Sequence, residues 1–364
     1  MDASMPRLLP ILLLLCLASV TPVRAEALSG AGSTFAFPLL SQWGAKFQAV
    51  EESGMDIAAS LDGPLAPEGG LGSPLSPWAG GLDYEPVGSL GGIMRVIAGA
   101  VDFGASERPL PAEEVDRHKL MQFPIVTGGV AVVFNLPGVA DGALRLSGAV
   151  LADIYLGKVT SWSDPALKAL NPDVTLPDAP IDVVHRGDGS GTTYNFAAYL
   201  ADASGDWRER VGVDTELKWP VGRGVKGSGG IVRSVAADRN SIGYVEVGQA
   251  RRDGLPAALV ENRAGEFRAP SPDSIAAAAA GADWAGSRHH DLLLTGATDP
   301  RAYPIAATVH VLMPRETGPT SARTLRFFDD ALTHWRRDAV DLGYVPLPDE
   351  VVGQIRSYWK STQR

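Results

Sequence analysis

Apolar residues recur in this chain in two alternating rhythms. Leu39, Leu40, Trp43 and Phe47 repeat at helical spacing through residues 36–52, which predicts an amphipathic helix. Ile93, Val96, Ile97 and Ala100 predict another over 91–100, and Leu325, Phe328 and Leu332 a third over 321–335. Residues 193–203 read as helix, as does the small-residue run 276–282. Between them lie short apolar runs at 130–134, 181–184 and 306–313, bounded by turn residues such as Asn135-Leu136-Pro137-Gly138. Helices alternating with buried strands predict an α/β fold. Residues 61–83 stand apart: rich in Gly and Pro and without a periodic apolar face, they read as an inserted surface loop.

The first 25 residues carry a different pattern. Arg7 precedes an apolar run at 8–17, and Val23-Arg24-Ala25 closes a small-residue stretch, so cleavage is expected before Glu26. The run is shorter than the roughly 20 residues that span a bilayer, which predicts a protein exported through a cleaved leader. Cys16, the one cysteine, lies inside this leader and follows Leu15 rather than the small residue of a lipidation site. The mature chain then has no cysteine, and so neither a disulfide nor a cysteine-based zinc site. Removing Asp2, Arg7 and Arg24 takes Lys+Arg from 32 to 30 and Asp+Glu from 42 to 41, a net charge of −11. Such a balance argues against nucleic-acid binding through a basic face. With 364 residues, two domains are expected.

Three glycine-hydroxyl turns carry the candidate chemistry. They are Gly30-Ala31-Gly32-Ser33-Thr34-Phe35, Gly88-Ser89-Leu90-Gly91-Gly92 and Gly187-Asp188-Gly189-Ser190-Gly191-Thr192, and each precedes a predicted helix. Free N–H groups, hydroxyls and the positive end of a helix dipole make each a candidate anion site. Singly, each is more often a plain N-cap; their recurrence, one of them beside Arg186, shifts the reading towards one shared oxyanion pocket. Asp188 could hold Arg186 in place, or the two could form a solvated surface salt bridge. His185 reads as packed or surface, and His289-His290 as a solvated loop. The Gly187 turn lacks a Lys-Ser/Thr ending, and no Gly-x-Ser-x-Gly elbow occurs, so no catalytic residue or cofactor is expected.

These turns, in order, resemble the signatures of the phosphate-binding protein of the bacterial phosphate ABC importer. So do Val101 to Ser106, Gln122-Phe123-Pro124 with Gly128-Gly129-Val130, Tyr155-Leu156-Gly157-Lys158 with Trp162 and Asp164, Ile242 to Glu246, Ala282-Asp283-Trp284 and Tyr344 to Pro348. The resemblance implies an α/β periplasmic binding protein of type II, each of its two lobes a mixed sheet flanked by helices, with the ligand in the cleft between. It places one lobe at 26–126 with 303–364 and the other at 127–298. The implied ligand is inorganic phosphate, and the implied partner a membrane permease that receives it from a receptor monomeric when free. Carried over position by position, the ligand shell is Thr34, Phe35 through its N–H, Ser89, Glu107, Arg186, Ser190, Gly191 and Thr192, with Asp188 behind Arg186. Glu107 stands where the family has Asp, as acceptor for the proton that phosphate keeps and sulfate lacks. Arg108 and Leu90 replace smaller residues. Sulfate, arsenate or a phosphonate is the alternative ligand, and a secreted phosphohydrolase the alternative class.

Overall fold

A computed structural model describes residues 27–53 and 81–363. The expected leader, Cys16 and most of the Gly/Pro-rich segment lie outside these residues. That segment was expected to run as loop through Asp83, but Leu82 and Asp83 already belong to a strand, Leu82–Glu85. Leu82 packs against the core, and the strand pairs with Leu28–Gly32, so long-range pairing overrides the local composition.

In chain order the strands of the main sheet are β1 (Leu28–Gly32), β2 (Leu82–Glu85), β3 (Phe103–Ser106) and β4 (Leu120–Asn135). With β5 (Arg145–Leu146) set apart, β6 (Asp182–Arg186), β7 (Arg223–Val225) and β8 (Ser241–Glu246) follow, then β9 (Leu259–Glu261), β10 (Phe267–Arg268) and β11 (Ala306–Pro314). The main sheet has the order β2-β1-β3-β11-β4-β8-β6-β7, and β10-β9-β5 form a small second sheet. β1 runs parallel to β2 and β3, and β6 parallel to β7 and β8; β11 and β4 are antiparallel to their neighbours. Helices cover both groups of strands.

β4 joins the two halves. Its first part pairs with β11 from Leu120 to Gly129, and its second with β8 from Val130 to Asn135. Of its 16 residues all but Asn135 are buried, as expected of a strand covered on both faces. The sequence pattern marks only its last third, because Pro124 and Gly128-Gly129 look like breaks. The register shifts between Val309 and His310, opposite the stretch around Pro124, and such a bulge accommodates a residue with no N–H to give. Gly128 is required by contact: a Cβ there would lie 2.7 Å from the Phe35 ring.

The predicted helices fall at Phe37–Ser53, Ser89–Ile97, Gly191–Ala203, Pro272–Ala280 and Pro319–His334. Leu39, Leu40, Trp43 and Phe47 are all buried. Phe328 meets Phe103 and Phe123 edge-on at 5.1 and 5.6 Å, pinning the last of these helices to the sheet. Lys46 is the exception on its apolar face, buried with its ammonium 2.8 Å from Asp338. Among the described residues no helix is long and apolar enough to cross a membrane.

Candidate functional site

The strand ends converge. β1, β3 and β6 all finish at the same region, and in open α/β sheets ligands collect outside the carboxyl ends of parallel strands. β1 leads through Gly32 into Ser33 and Thr34; β3 leads into Glu107; β6 ends on Arg186. Gly32 takes φ 132 and leaves no room for a side chain against the Ala105 carbonyl. The tight exit from β1 therefore requires glycine.

Glu107 sits at the centre, 2% exposed. Its Oε1 accepts from Ser33 Oγ in a short contact, and its Oε2 from Ser89 Oγ at 3.2 Å. Its backbone carbonyl accepts from Asn195 Nδ2 at 2.9 Å, which ties it to the helix Gly191–Ala203. Gly191 opens that helix, and a Cβ there would lie against Ser89 Oγ and 2.6 Å from Glu107 Oε2. The turn thus presses bare backbone against the carboxyl. Burial pushes the Glu107 pKa up to about 7, against the opposing pull of the Ser33 hydroxyl, the Arg186 charge and the Ser89 hydroxyl.

Arg186 and Asp188 form a fork. Nε donates to Asp188 Oδ1 and Nη2 to Oδ2, both at 2.6 Å, with the two side chains only 2% and 14% exposed. The surface-salt-bridge reading is thereby corrected: the Gly187 N–H donates to the Val225 carbonyl of β7, extending the pairing of β6 with β7, and the Arg186–Asp188 pair lies inside. Burial works against the Asp188 carboxylate, but Arg186 and the Gly227 N–H outweigh it and hold its pKa below the ordinary value. The Nη1 hydrogens are left uncommitted by this fork.

The remaining candidates fall around the same point. Ser190 is buried and caps the helix, accepting from Thr193 N at 3.2 Å. Thr192 is buried with an Oγ1 that has no partner among the described residues. Thr34 Oγ1 lies 3.0 Å from Ser228 Oγ. Phe35 is buried with its ring 5.8 Å from that of Tyr344, whose hydroxyl donates to the Phe35 carbonyl. Leu90 N donates to the Gly189 carbonyl at 3.2 Å, joining the second and third turns. Arg108 places its guanidinium 5.9 Å from the centre of the Tyr194 ring.

Two serines at the site lie outside the ligand shell expected from the sequence. Ser33 belongs to the first glycine-hydroxyl turn without being singled out in it, and Ser228 drew no reading; their contacts need partners 74 and 194 residues away. His185 is packed, stacked on Trp219 at 4.5 Å, with burial lowering its pKa. His289-His290 is not the solvated loop expected. His290 is buried, and His289 lies 2.7 Å from the Tyr358 hydroxyl and 3.0 Å from Asp116 Oδ1. Tyr358, on the last helix, fills the space that solvent would have taken.

The PBP superfamily domain matches residues 19–333. The phosphate-binding protein PstS of Xylella fastidiosa is 40% identical over 350 residues, covering 94% of this chain and 89% of that protein. The chain belongs to this family. The PstS of Haemophilus influenzae is 37% identical over 349 residues, covering 95% of this chain and 96% of that protein. Among solved structures, a phosphate ABC transporter substrate-binding protein from Clostridium perfringens, determined with bound phosphate, matches with a TM-score of 0.59. It is 19% identical and covers 88% of this chain and all of its own, a likeness of fold. The fold is accordingly the two-lobed, type II periplasmic binding protein architecture, as the resemblance implied.

Within this family the raised Glu107 pKa has a measurable consequence for stability. The folded, ligand-free protein keeps a proton on Glu107 between 4.5 and about 7 that the unfolded chain has already released. The associated stability is full below the unfolded value and is lost as pH rises through the folded one. Glu107→Gln removes the titrating group. The difference in melting temperature between variant and parent is expected to move in the variant's favour from about pH 5 to about pH 8. Thermal unfolding of the ligand-free proteins across that range checks it, and a difference independent of pH contradicts it.

Proposed function

We propose that this protein is an exported receptor for inorganic phosphate, which it closes on between two lobes and passes to the permease of an ABC importer. The observation that carries the reading is the buried Glu107 carboxyl, set among hydroxyls and bare helix N–H groups with Arg186 nearby. Arginine and N–H donors alone would suit any oxyanion. A carboxylate among them favours one that still carries a proton to donate. At neutral pH phosphate does and sulfate does not. The relatives' names point the same way.

In this reading Thr34, the Phe35 N–H, Ser89, Ser190, Gly191 and Thr192 supply donors, Arg186 supplies charge through Nη1, and Asp188 fixes the guanidinium. The lobes are 26–126 with 303–364 and 127–298, and the leader is removed before Glu26. No catalytic residue is assigned. The net charge of −11 is no obstacle, because salt screens distant charges within about 8–10 Å while the dehydrated site acts locally. Calorimetric titration of the mature protein, stripped of ligand, is expected to give tight phosphate binding and no sulfate response. Equal or preferred sulfate binding favours the broader oxyanion reading, and a response to neither anion overturns the assignment.

A further inference from the structure

Ser33 lies outside the ligand shell carried over from the family, yet it bonds directly to the carboxylate at the centre of the site. Its surroundings engage it as both acceptor and donor. Ser33 Oγ accepts the Ala36 N–H at 2.8 Å, and Ser33 is fully buried, so water does not compete for it. A hydroxyl has one proton. Ala36 takes one of its two acceptor lone pairs, and the acceptor within reach of the proton is Glu107 Oε1, which takes it when Glu107 is ionised. The backbone is held too: Ser33 N donates to the Ala105 carbonyl, and the Tyr84 hydroxyl donates to the Ser33 carbonyl at 3.0 Å.

We propose that Ser33 is a specificity-determining residue: by donating to Glu107 Oε1 it favours the ionised carboxyl, an acceptor at Oε2, so that from neutral pH upwards the site takes a protonated oxyanion and turns away a fully ionised one. The proposal rests on the phosphate-receptor reading and extends it. Oε2 faces Ser89 and the Gly191 turn, where the anion would lie. Oε1 points away, towards Ser33. Were Glu107 protonated, its Oε2 could offer a hydrogen to any oxyanion, and discrimination would be lost.

The balance is close enough for one hydroxyl to matter. Burial favours the neutral acid and brings its pKa to about 7, so small changes in hydrogen bonding alter its charge state near neutral pH. The other ionisable groups around Glu107 are Arg186, which favours the carboxylate, and the buried Tyr84 and Tyr344 phenols, which stay neutral because their own pKa values are raised. Asp188 offsets part of the Arg186 charge.

The test is an NMR titration of carboxyl-labelled glutamate in the ligand-free mature protein, with Glu107→Gln identifying the resonance. Ser33→Ala is expected to move the Glu107 titration up by about one pH unit, the size of one hydrogen bond to a charged group. Ser33→Thr, which keeps the hydroxyl, is expected to stay near the parent. Calorimetry of the same variants should show the preference for phosphate over sulfate falling about tenfold in Ser33→Ala near neutral pH and recovering in Ser33→Thr. If Ser33→Ala does not fold, Ser33→Cys makes the same comparison with a weak donor of similar size. An unmoved Glu107 resonance, or a moved one with unchanged anion preference, overturns the proposal. The NMR arm needs no ligand, so a parent protein that binds neither anion overturns the receptor reading and is distinguishable from failure of the Ser33 contact.

Discussion

Arg186→Ala is expected to weaken phosphate binding by on the order of a hundredfold or more, since truncating one partner of a buried charge pair costs about 2–5 kcal/mol. The size follows from burial. The Arg186 side chain is 2% exposed, so water cannot replace the guanidinium at the anion. Arg186→Lys keeps a positive charge but not the planar fork on Asp188, and should lose less binding than alanine. Structural damage could mimic the result, because Arg186→Ala also strands a largely buried Asp188 carboxylate. The double variant Arg186→Ala with Asp188→Asn separates the two effects. It should recover thermal stability relative to Arg186→Ala without recovering phosphate affinity. Recovery of both would reduce Arg186 to a structural role, and calorimetry paired with thermal unfolding reads the difference.

Most of what positions the site was legible in the sequence, for local reasons. Each glycine-hydroxyl turn announces itself within six residues, and the helix that follows each carries its own periodicity. The turns do open helices, and Arg186 and Asp188 do pair. What could not be read is the environment those residues fold into. Spacing shows that a guanidinium and a carboxylate two residues apart can meet, but β7 and the Gly227 N–H, from some forty residues later, take them out of water. Ser33 is hidden for the same reason: a serine before a helix is a complete local explanation, and only β3 brings Glu107 to it.

The other misses follow the same logic. β4 looks broken at Pro124 and Gly128-Gly129, yet the strand continues: the ladder with β11 steps over Ile125 beside the proline, and the Phe35 ring packs against the bare backbone of Gly128. His289-His290 looks like a polar loop because the Tyr358 ring that covers it is supplied by the last helix. Local chemistry is readable from the order of residues, whereas burial is a property of the pairing between distant segments.

Gly191→Ala tests whether the third turn must approach the carboxylate as closely as it does here. The new methyl would lie against Ser89 Oγ, 2.6 Å from Glu107 Oε2 and 2.9 Å from Glu107 Cβ. Neither neighbour can easily give way, since Ser89 and Glu107 are both buried and bonded to each other. Gly191 does not need a special backbone angle; as the first residue of a helix it could carry a side chain, so the conflict is steric alone. The helix Gly191–Ala203 therefore has to withdraw from Glu107, taking the Thr192 hydroxyl and the helix N–H groups with it. Overpacking of this kind costs about 1–3 kcal/mol, which is roughly a 5- to 150-fold loss of phosphate affinity. Because the clash lies between segments that the proposed lobes bring together, the loss should appear in binding, with little change in the melting temperature of the ligand-free protein. Gly191→Val, larger and β-branched, should lose more. Unchanged affinity in both variants would mean that the anion is held away from the Gly191 turn.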